Sequence, residues 1–249
     1  MSIWLKRNLK ATPPFLLVAA IVNIAGAAEY LSPKFVPKGY PVREVLLLPA
    51  QVHLTKSGMK GKEGMAKESD AFAEQLTALI VKELEARKVK IVPNPFTEEA
   101  LKKNEELRAT LTRLQNKYDT LAVQLHAKPK ELRKGRYSLG DEVATLGPAT
   151  HADAIVFIRA NGRVVTGGKK ALSLAAAVGG AVGGLPVGSP DVDTIRTFLT
   201  FANSKTGDVL AIVDFVRAGV RARNFQEKTD QVMGKTLSNS LKKIPFSTN

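Results

Sequence analysis

Residues 193–217 read DTIRTFLTFANSKTGDVLAIVDFVR. Two runs in this stretch place apolar residues or threonine at every second position, which is typical of β-strands. These positions are Ile195, Thr197, Leu199 and Phe201 in the first run and Val209, Ala211, Val213 and Phe215 in the second. Residues 204–208 lie between the runs and form a turn in which Gly207 takes a positive φ. The stretch therefore predicts a β-hairpin, which we call the central hairpin.

The central hairpin needs further strands, because an isolated two-stranded sheet is marginally stable in water. Short apolar runs that end at turn-forming residues are the places to expect them. The runs of this kind are residues 45–48, 90–93 and 154–158, and the last of them continues to Val165. Together with the central hairpin, these runs predict a sheet of five strands.

Amphipathic helices are predicted between these strands and after them. The first places Phe72, Leu76, Leu79, Ile80 and Leu84 on one face at helical spacing. A longer helix follows Thr97 and ends before Pro129, a short one starts at Ser138, and the last begins near Asn224 and ends before Pro245. The expected fold class is α/β, with a mixed five-stranded sheet covered by helices in the order β-α-β-α-α-β-β-β-α.

The longer helix carries a heptad pattern, because its apolar residues recur at alternating spacings of four and three. These residues are Leu107, Leu111, Leu114, Tyr118, Leu121 and Leu125. Packing against the sheet explains the pattern. A protruding arm or a self-associating coiled coil are the alternatives.

The first 27 residues are typical of a secretory signal peptide. Three basic residues precede an apolar run over residues 14–22, and Ala25-Gly26-Ala27 offers small residues at a cleavage site. An uncleaved membrane anchor is the alternative, although the run is shorter than the roughly 20 residues of a spanning helix. Residues 28–43, with three prolines, are expected to form a tether, and residues 44–249 a single domain with an Ala/Gly-rich insertion at 169–190.

The exported part of the chain is strongly basic and contains no cysteine, which excludes disulfides and the lipid-accepting cysteine of a bacterial lipoprotein. Without residues 1–27, 34 basic residues (37 minus 3) and 23 acidic residues remain, a formal net charge of +11. Such a charge favours an acidic envelope protein, an anionic cell-wall polymer or lipid head groups; nucleic acid is not expected in that compartment. A solvated surface without a specific ligand is the alternative. The cations of one predicted loop form a candidate basic surface: Lys128, Lys130, Arg133, Lys134 and Arg136.

Residues 171–185 consist almost wholly of Ala, Gly, Val and Leu and follow Lys169 and Lys170. Ala175, Gly179 and Gly183 recur every four residues, a small-residue pattern that lets helices approach closely in lipid. As a helix the segment would be about 22 Å long, too short to span a bilayer core of about 30 Å. It is expected either to touch a membrane or another copy of the chain, or to lie on the domain as a passive loop.

No motif of a known catalytic or metal site is present, so no enzymatic activity, cofactor or metal is expected. His53, His126 and His151 are the only histidines, and none has a second ligand at metal-binding spacing. The loop over residues 55–67 contains three glycines and four lysines, but it lacks the glycine spacing and Gly-Lys-Ser/Thr ending of a phosphate-binding loop. A mobile basic loop is expected there.

The order of these elements resembles that of a group of bacterial envelope proteins: the curli secretion lipoprotein family, the lipoprotein activators of penicillin-binding proteins and the amino-terminal domain of TolB. The matching stretches are residues 45–49, 152–156 and 203–210, the last with the Lys-Thr-Gly-Asp turn. The resemblance implies a two-layer or three-layer α/β domain without a catalytic site. This chain departs from the lipoprotein members because it lacks the acylated cysteine.

Three functions remain open from the sequence. The first is a non-enzymatic exported protein, in the periplasm or on the periplasmic face of the outer membrane, that binds another envelope component and helps to assemble or regulate a surface or secretion structure. The second is a membrane-associated protein, or one that forms pores or homo-oligomers through residues 171–185. The third is a hydrolase with an unrecognised site.

Overall fold

The structure is a computed structural model that describes residues 25–35, 42–58, 60–144, 146, 151–165, 193–218 and 225–246. The described residues form one mixed sheet between two helical layers, so the predicted α/β class is confirmed. Within the described residues the sheet has eight strands, three more than the five predicted. Their bounds are β1 Ala25–Leu31, β2 Glu44–Leu47, β3 Gln51–Gly58, β4 Gly61–Gly64, β5 Lys90–Ile91, β6 Ala154–Val165, β7 Thr194–Asn203 and β8 Val209–Ala218.

Strand β6 organises the sheet. Its neighbour on one side is β7, followed by β8 and β1, and all of these pairs are antiparallel. On its other side β2 and β3 lie one after the other, both parallel to β6, with β5 beyond β2 and β4 beyond β3. The sheet is therefore mixed, as predicted, and β6 joins its parallel and antiparallel parts.

The central hairpin forms as predicted, with Gly207 at φ 70 in its turn. Asn203 tightens the turn, because its Oδ1 accepts hydrogen bonds from the backbone N–H groups of Lys205 at 2.8 Å and Thr206 at 3.2 Å. The predicted face of β8 is wrong at Val209, which packs on the opposite side of the sheet from Phe201. A β-bulge causes the difference, since the register shifts between Phe201 and Ala202 and the inserted residue reverses the alternation.

Three strands occur where the sequence predicted none. Strand β1 includes residues on both sides of the predicted cleavage site of the signal peptide. Its residues 28–31 were expected in the tether, but they pair with Asp214 to Ala211 of β8 and belong to the sheet. Strands β3 and β4 form a hairpin over most of the expected mobile basic loop. Strand β1 is ordered by pairing with β8, and the β3–β4 hairpin is ordered by the pairing of β3 with β6. Neither segment has the continuous apolar alternation that would have predicted a strand from the sequence.

The helices are α1 Ala66–Glu85, α2 Glu98–Lys103, α3 Glu105–Ala127, a 3₁₀-helix Pro129–Lys134, α4 Asp141–Ala144 and α5 Phe225–Leu241. Helices α1 and α5 cover one face of the sheet, where Leu76 and Leu237 pack with Phe201. The other face is covered by α3, the 3₁₀-helix and α4, where Tyr118 and Leu132 pack with β-sheet residues. Both apolar clusters are buried, which gives a three-layer arrangement.

The predicted long helix is divided into α2 and α3 at Asn104. The Asn104 Oδ1 accepts a hydrogen bond from the backbone N–H of Leu107 at 3.0 Å and thereby starts a new helix. Of the heptad residues in α3, all but Leu107 are buried against the sheet, and Leu107 packs at the edge of the same cluster. Core packing is therefore the correct explanation of the pattern.

Candidate functional site

The five residues of the predicted basic surface lie on the 3₁₀-helix and its flanking residues. Their side chains are all exposed: Lys128, Lys130, Arg133, Lys134 and Arg136. The segment lies against β1 and β8 and is joined to the sheet by the fully buried Leu132. Five cations are thus presented to solvent from one short segment.

The backbone under the basic surface is held at both ends. Gly135 has a left-handed φ of 65, and its N–H donates to the carbonyl of Leu132 at 2.8 Å, which closes the 3₁₀-helix. The hydroxyl of Tyr137 donates to the carbonyl of Lys128 at 3.2 Å. The cations therefore extend from an ordered backbone, and less backbone conformational entropy is lost when a ligand binds.

One carboxylate lies among these cations. Glu131 is 2.6 Å from Lys134 Nζ and 3.6 Å from Arg136 Nη1. The hydrogen bond from Lys134 lowers the pKa of Glu131, so this carboxyl stays ionised at neutral pH. Glu131 offsets one of the five positive charges, and the segment keeps a formal charge of +4.

The basic surface lies next to the turn of the central hairpin. The Leu139 N–H donates to the carbonyl of Gly207 at 2.8 Å, and the Val209 N–H donates to the carbonyl of Tyr137 at 3.0 Å. Lys34 adds a further cation and is bonded to Asp208 at 2.8 Å. We call this end of the sheet, where β6 begins and β7 ends, the turn pole.

A second polar surface was missed by sequence reasoning. Asn161 is exposed in the middle of β6, with Arg159 and Arg163 two residues away on the same face of the strand. On the two strands that pair with β6, Arg196 of β7 and His53 of β3 lie directly beside Asn161. This arginine face was visible in the sequence only as polar residues at every second position of an otherwise apolar strand.

Carboxylates orient two arginines of the arginine face. Arg159 Nη1 donates to Asp119 Oδ1 at 2.7 Å, and Arg196 makes two bonds with Asp214, of 3.0 and 2.6 Å. The Arg196 guanidinium also lies 4.6 Å from the ring centroid of Phe198, a cation–π contact. The hydrogen bond from Asp214 raises the pKa of Arg196, which therefore stays charged. This face is a polar sheet surface in which Asp119 and Asp214 already offset part of the positive charge.

The other candidate residues that the sequence suggested are either dispersed or outside the described residues. His53 and His151 are exposed in different elements, and the described residues contain no group of three or more His, Asp or Glu able to hold a metal ion. Lys169, Lys170, Ala175, Gly179 and Gly183 lie outside the described residues, and their role in membrane contact or self-association stays a prediction. Among the helices described, none is long and apolar enough to cross a membrane.

A cleft of about 380 Å³ lies where β2 and β5 end. It is lined by Leu48, Val81, Ile91 and Asn94, among others, and no charged residue contributes to its wall. The Asn94 Oδ1 is engaged locally, because it accepts a hydrogen bond from the Phe96 N–H at 2.8 Å. The cleft thus presents no side chain suited to general acid–base catalysis.

Comparison with known proteins finds no family model and no curated protein that matches this chain. Among solved structures, a PelC dodecamer from Paraburkholderia phytofirmans is similar with a TM-score of 0.40 and 8% identity, over 90% of this chain and 100% of that one. Lipoprotein GNA1162 from Neisseria meningitidis is similar with a TM-score of 0.36 and 12% identity, over 81% of this chain and 97% of that one. At these TM-scores and identities the likenesses carry no argument for a function of this chain.

Proposed function

We propose that this chain is a non-enzymatic exported protein that binds an acidic component of the cell envelope through the basic surface at the turn pole. The proposal rests on one observation: five exposed cations, with a single carboxylate among them, lie on and beside a 3₁₀-helix that the buried Leu132 anchors to the sheet. Placement in the periplasm, or on the periplasmic face of the outer membrane, is part of the proposal.

The charges favour an extended or flat anionic partner over a small ligand. The five side chains project from neighbouring positions on the outside of the domain, and none of them lines the cleft at the ends of β2 and β5. Exposed charges attract an oppositely charged partner over about one Debye length, about 8 Å at physiological salt, and steer its approach. An acidic protein surface or an anionic polymer can contact several of these cations at once.

Export is supported by the basic start, the apolar run over residues 14–22 and Ala25-Gly26-Ala27. The register pairs Ala28 with Asp214 and Leu31 with Ala211, so a chain beginning at Ala28 retains the last four pairs of β1 with β8. Protein recovered from the envelope of the producing cell should have lost about 27 residues by intact-mass analysis. A full-length mass in that fraction would contradict cleavage and favour the uncleaved anchor.

The binding proposal is tested with a fluorescent poly-L-glutamate peptide as an acidic probe, measured by anisotropy at low and physiological salt. The triple variant Lys130→Gln, Arg133→Gln, Arg136→Gln leaves the Lys134–Glu131 pair in place. If each exposed charge contributes about 0.5 kcal/mol, the probe should bind roughly ten-fold more weakly. Unchanged binding by this variant would refute the proposal. The matched control removes three lysines at the opposite end of the sheet: Lys56→Gln, Lys60→Gln, Lys62→Gln.

A further inference from the structure

The sheet is interrupted on the side of β2 and β3 that faces away from β6. Strand β5 pairs with β2 only at Glu44 and Val45, and β4 pairs with β3 only from Thr55 to Gly58. Between these pairings, in the part of the sheet that the structure describes, no strand lies beside residues 46–54 on this side. We call this missing piece of strand the edge gap.

At one end of the edge gap, a backbone peptide group of β2 points into it. The Val45 carbonyl accepts a hydrogen bond from the Val92 N–H at 2.9 Å, on the side away from β6, whereas the Leu48 N–H donates to the carbonyl of Val156 in β6 at 3.0 Å. Successive residues of a strand direct their backbone groups to opposite sides. The backbone groups of Leu47 therefore face the edge gap.

At the other end of the edge gap, β3 presents a second residue in the same way. The Leu54 N–H donates to Ser69 Oγ and the Leu54 carbonyl accepts from the Met65 N–H, both at 3.0 Å and both away from β6. Val52, two residues earlier, directs its N–H and carbonyl to the same side. A strand edge of this kind is a template for the addition of an extended peptide segment.

The apolar cleft at the ends of β2 and β5 opens at the edge gap. Leu47, Leu48 and Pro49 line it from the sheet, and Thr77 and Val81 line it from α1. Its volume of about 380 Å³ lies within the range of ligand pockets, roughly 300–1,000 Å³. Since no charged residue lines the cleft, a charged group would enter it without a partner, and an uncharged apolar group fits it best.

We propose that the edge gap binds an extended, uncharged segment of a partner protein, which pairs with the backbone of Leu47 and Val52 and places an apolar side chain in the cleft. The distance from Leu47 to Val52 is about 16 Å at roughly 3.3 Å per residue, so a segment of about five residues fits. An acyl chain would fill the cleft but would leave the backbone groups unpaired, so a peptide satisfies more of the site. This neutral surface is separate from the basic surface of the proposed function.

The probe is the neutral peptide acetyl-Ser-Leu-Thr-Val-Ser-amide, titrated into the isotope-labelled full chain and followed by NMR. It should shift the resonances of the residues that line the cleft and slow the hydrogen exchange of the Val52 N–H. The same peptide methylated at its backbone nitrogens should bind about ten-fold more weakly, the loss expected when two backbone hydrogen bonds are not formed. Octanol, which has no peptide group, tests whether an apolar chain is sufficient.

Two variants test the cleft itself. Thr77→Phe places a ring at a position that lines the cleft, and it should weaken peptide binding by about ten-fold or more. Ala78→Phe is the matched control, because it adds the same ring at the next, exposed position of α1, which does not line the cleft. This control should stay within about two-fold of the parent. Unchanged urea midpoints serve as the folding control for both variants.

Several results would overturn the proposal. A Val52 N–H that exchanges slowly without peptide would show that the edge gap is already filled by the chain itself, and slowing that increases with protein concentration would assign it to a second copy. Equal binding of the methylated peptide, equally tight binding of octanol, or no resonance change up to the solubility limit of the peptide would exclude strand addition. These measurements use the parent protein, so they decide the question even if Thr77→Phe does not fold.

Discussion

The contact between Tyr118 and Thr200 gives a direct test of how α3 is joined to the sheet. The Tyr118 side chain is buried, and its ring is stacked on Phe157 with 4.5 Å between the centroids. Its hydroxyl lies 3.0 Å from Thr200 Oγ1, which is also buried. Removing one hydroxyl by Tyr118→Phe or Thr200→Val leaves the other without this partner inside the protein.

The expected magnitude follows from the penalty for an unsatisfied buried polar group. Each single variant should lower the free energy of unfolding by about 1 to 3 kcal/mol. The double variant Tyr118→Phe, Thr200→Val removes both groups together and should lose less than the sum of the single losses, by at least about 1 kcal/mol. Urea unfolding at neutral pH measures all four proteins of this cycle.

The same contact predicts a dependence on alkaline pH. Burial raises the pKa of the Tyr118 hydroxyl to about 12, whereas an unfolded tyrosine ionises near the ordinary pKa of 10.0. Between these two values the unfolded state binds fewer protons than the folded state, so stability falls as pH rises. The Tyr118 contribution is complete below pH 10 and decreases towards pH 12, by about 2 to 3 kcal/mol in all.

The comparison of parent and Tyr118→Phe isolates this effect from the titration of lysines, because both proteins carry the same lysines. The parent should lose more stability than the variant between about pH 9, below the ordinary tyrosine pKa, and the highest pH at which unfolding stays reversible. Additive single and double losses, together with the same pH slope in both proteins, would refute the placement of Tyr118 against β7.

Two further predictions concern the central hairpin. Gly207→Ala should destabilise the domain by about 2 kcal/mol or more, because Gly207 has a φ of 70 and the added Cβ would lie 2.4 Å from the carbonyl oxygen of Gly140. Gly61→Ala is the control. Gly61 has a φ of +121, but an added Cβ would meet nothing within 4 Å, so this variant carries backbone strain without the clash. Thermal melts that shift equally for both would contradict the close approach to Gly140. Phe201→Ala and Phe215→Ala should each cost about 3 to 5 kcal/mol, since both rings are buried, and urea midpoints that barely move would show that the hairpin is not in the core.

The features that the sequence predicted are those encoded by neighbouring residues. Alternation at period two located β7 and most of β8, and Gly207 located the turn between them. Helical spacing identified the core residues of α1 and α3, and the cations over residues 128–136 indicated an exposed basic segment. Each of these patterns arises from the local geometry of one element, so it can be recognised without knowing what the element packs against.

The features that only the tertiary structure decided depend on residues distant in the chain. Strand β1 is ordered by pairing with β8, and β3 by pairing with β6, so their own residues needed no strong strand pattern. The bulge that turns Val209 to the other face became visible only in the β7–β8 register. The same register brings Asn161 between Arg196 and His53. Register is set by packing and hydrogen bonding over the whole sheet, and no local stretch of sequence contains that information.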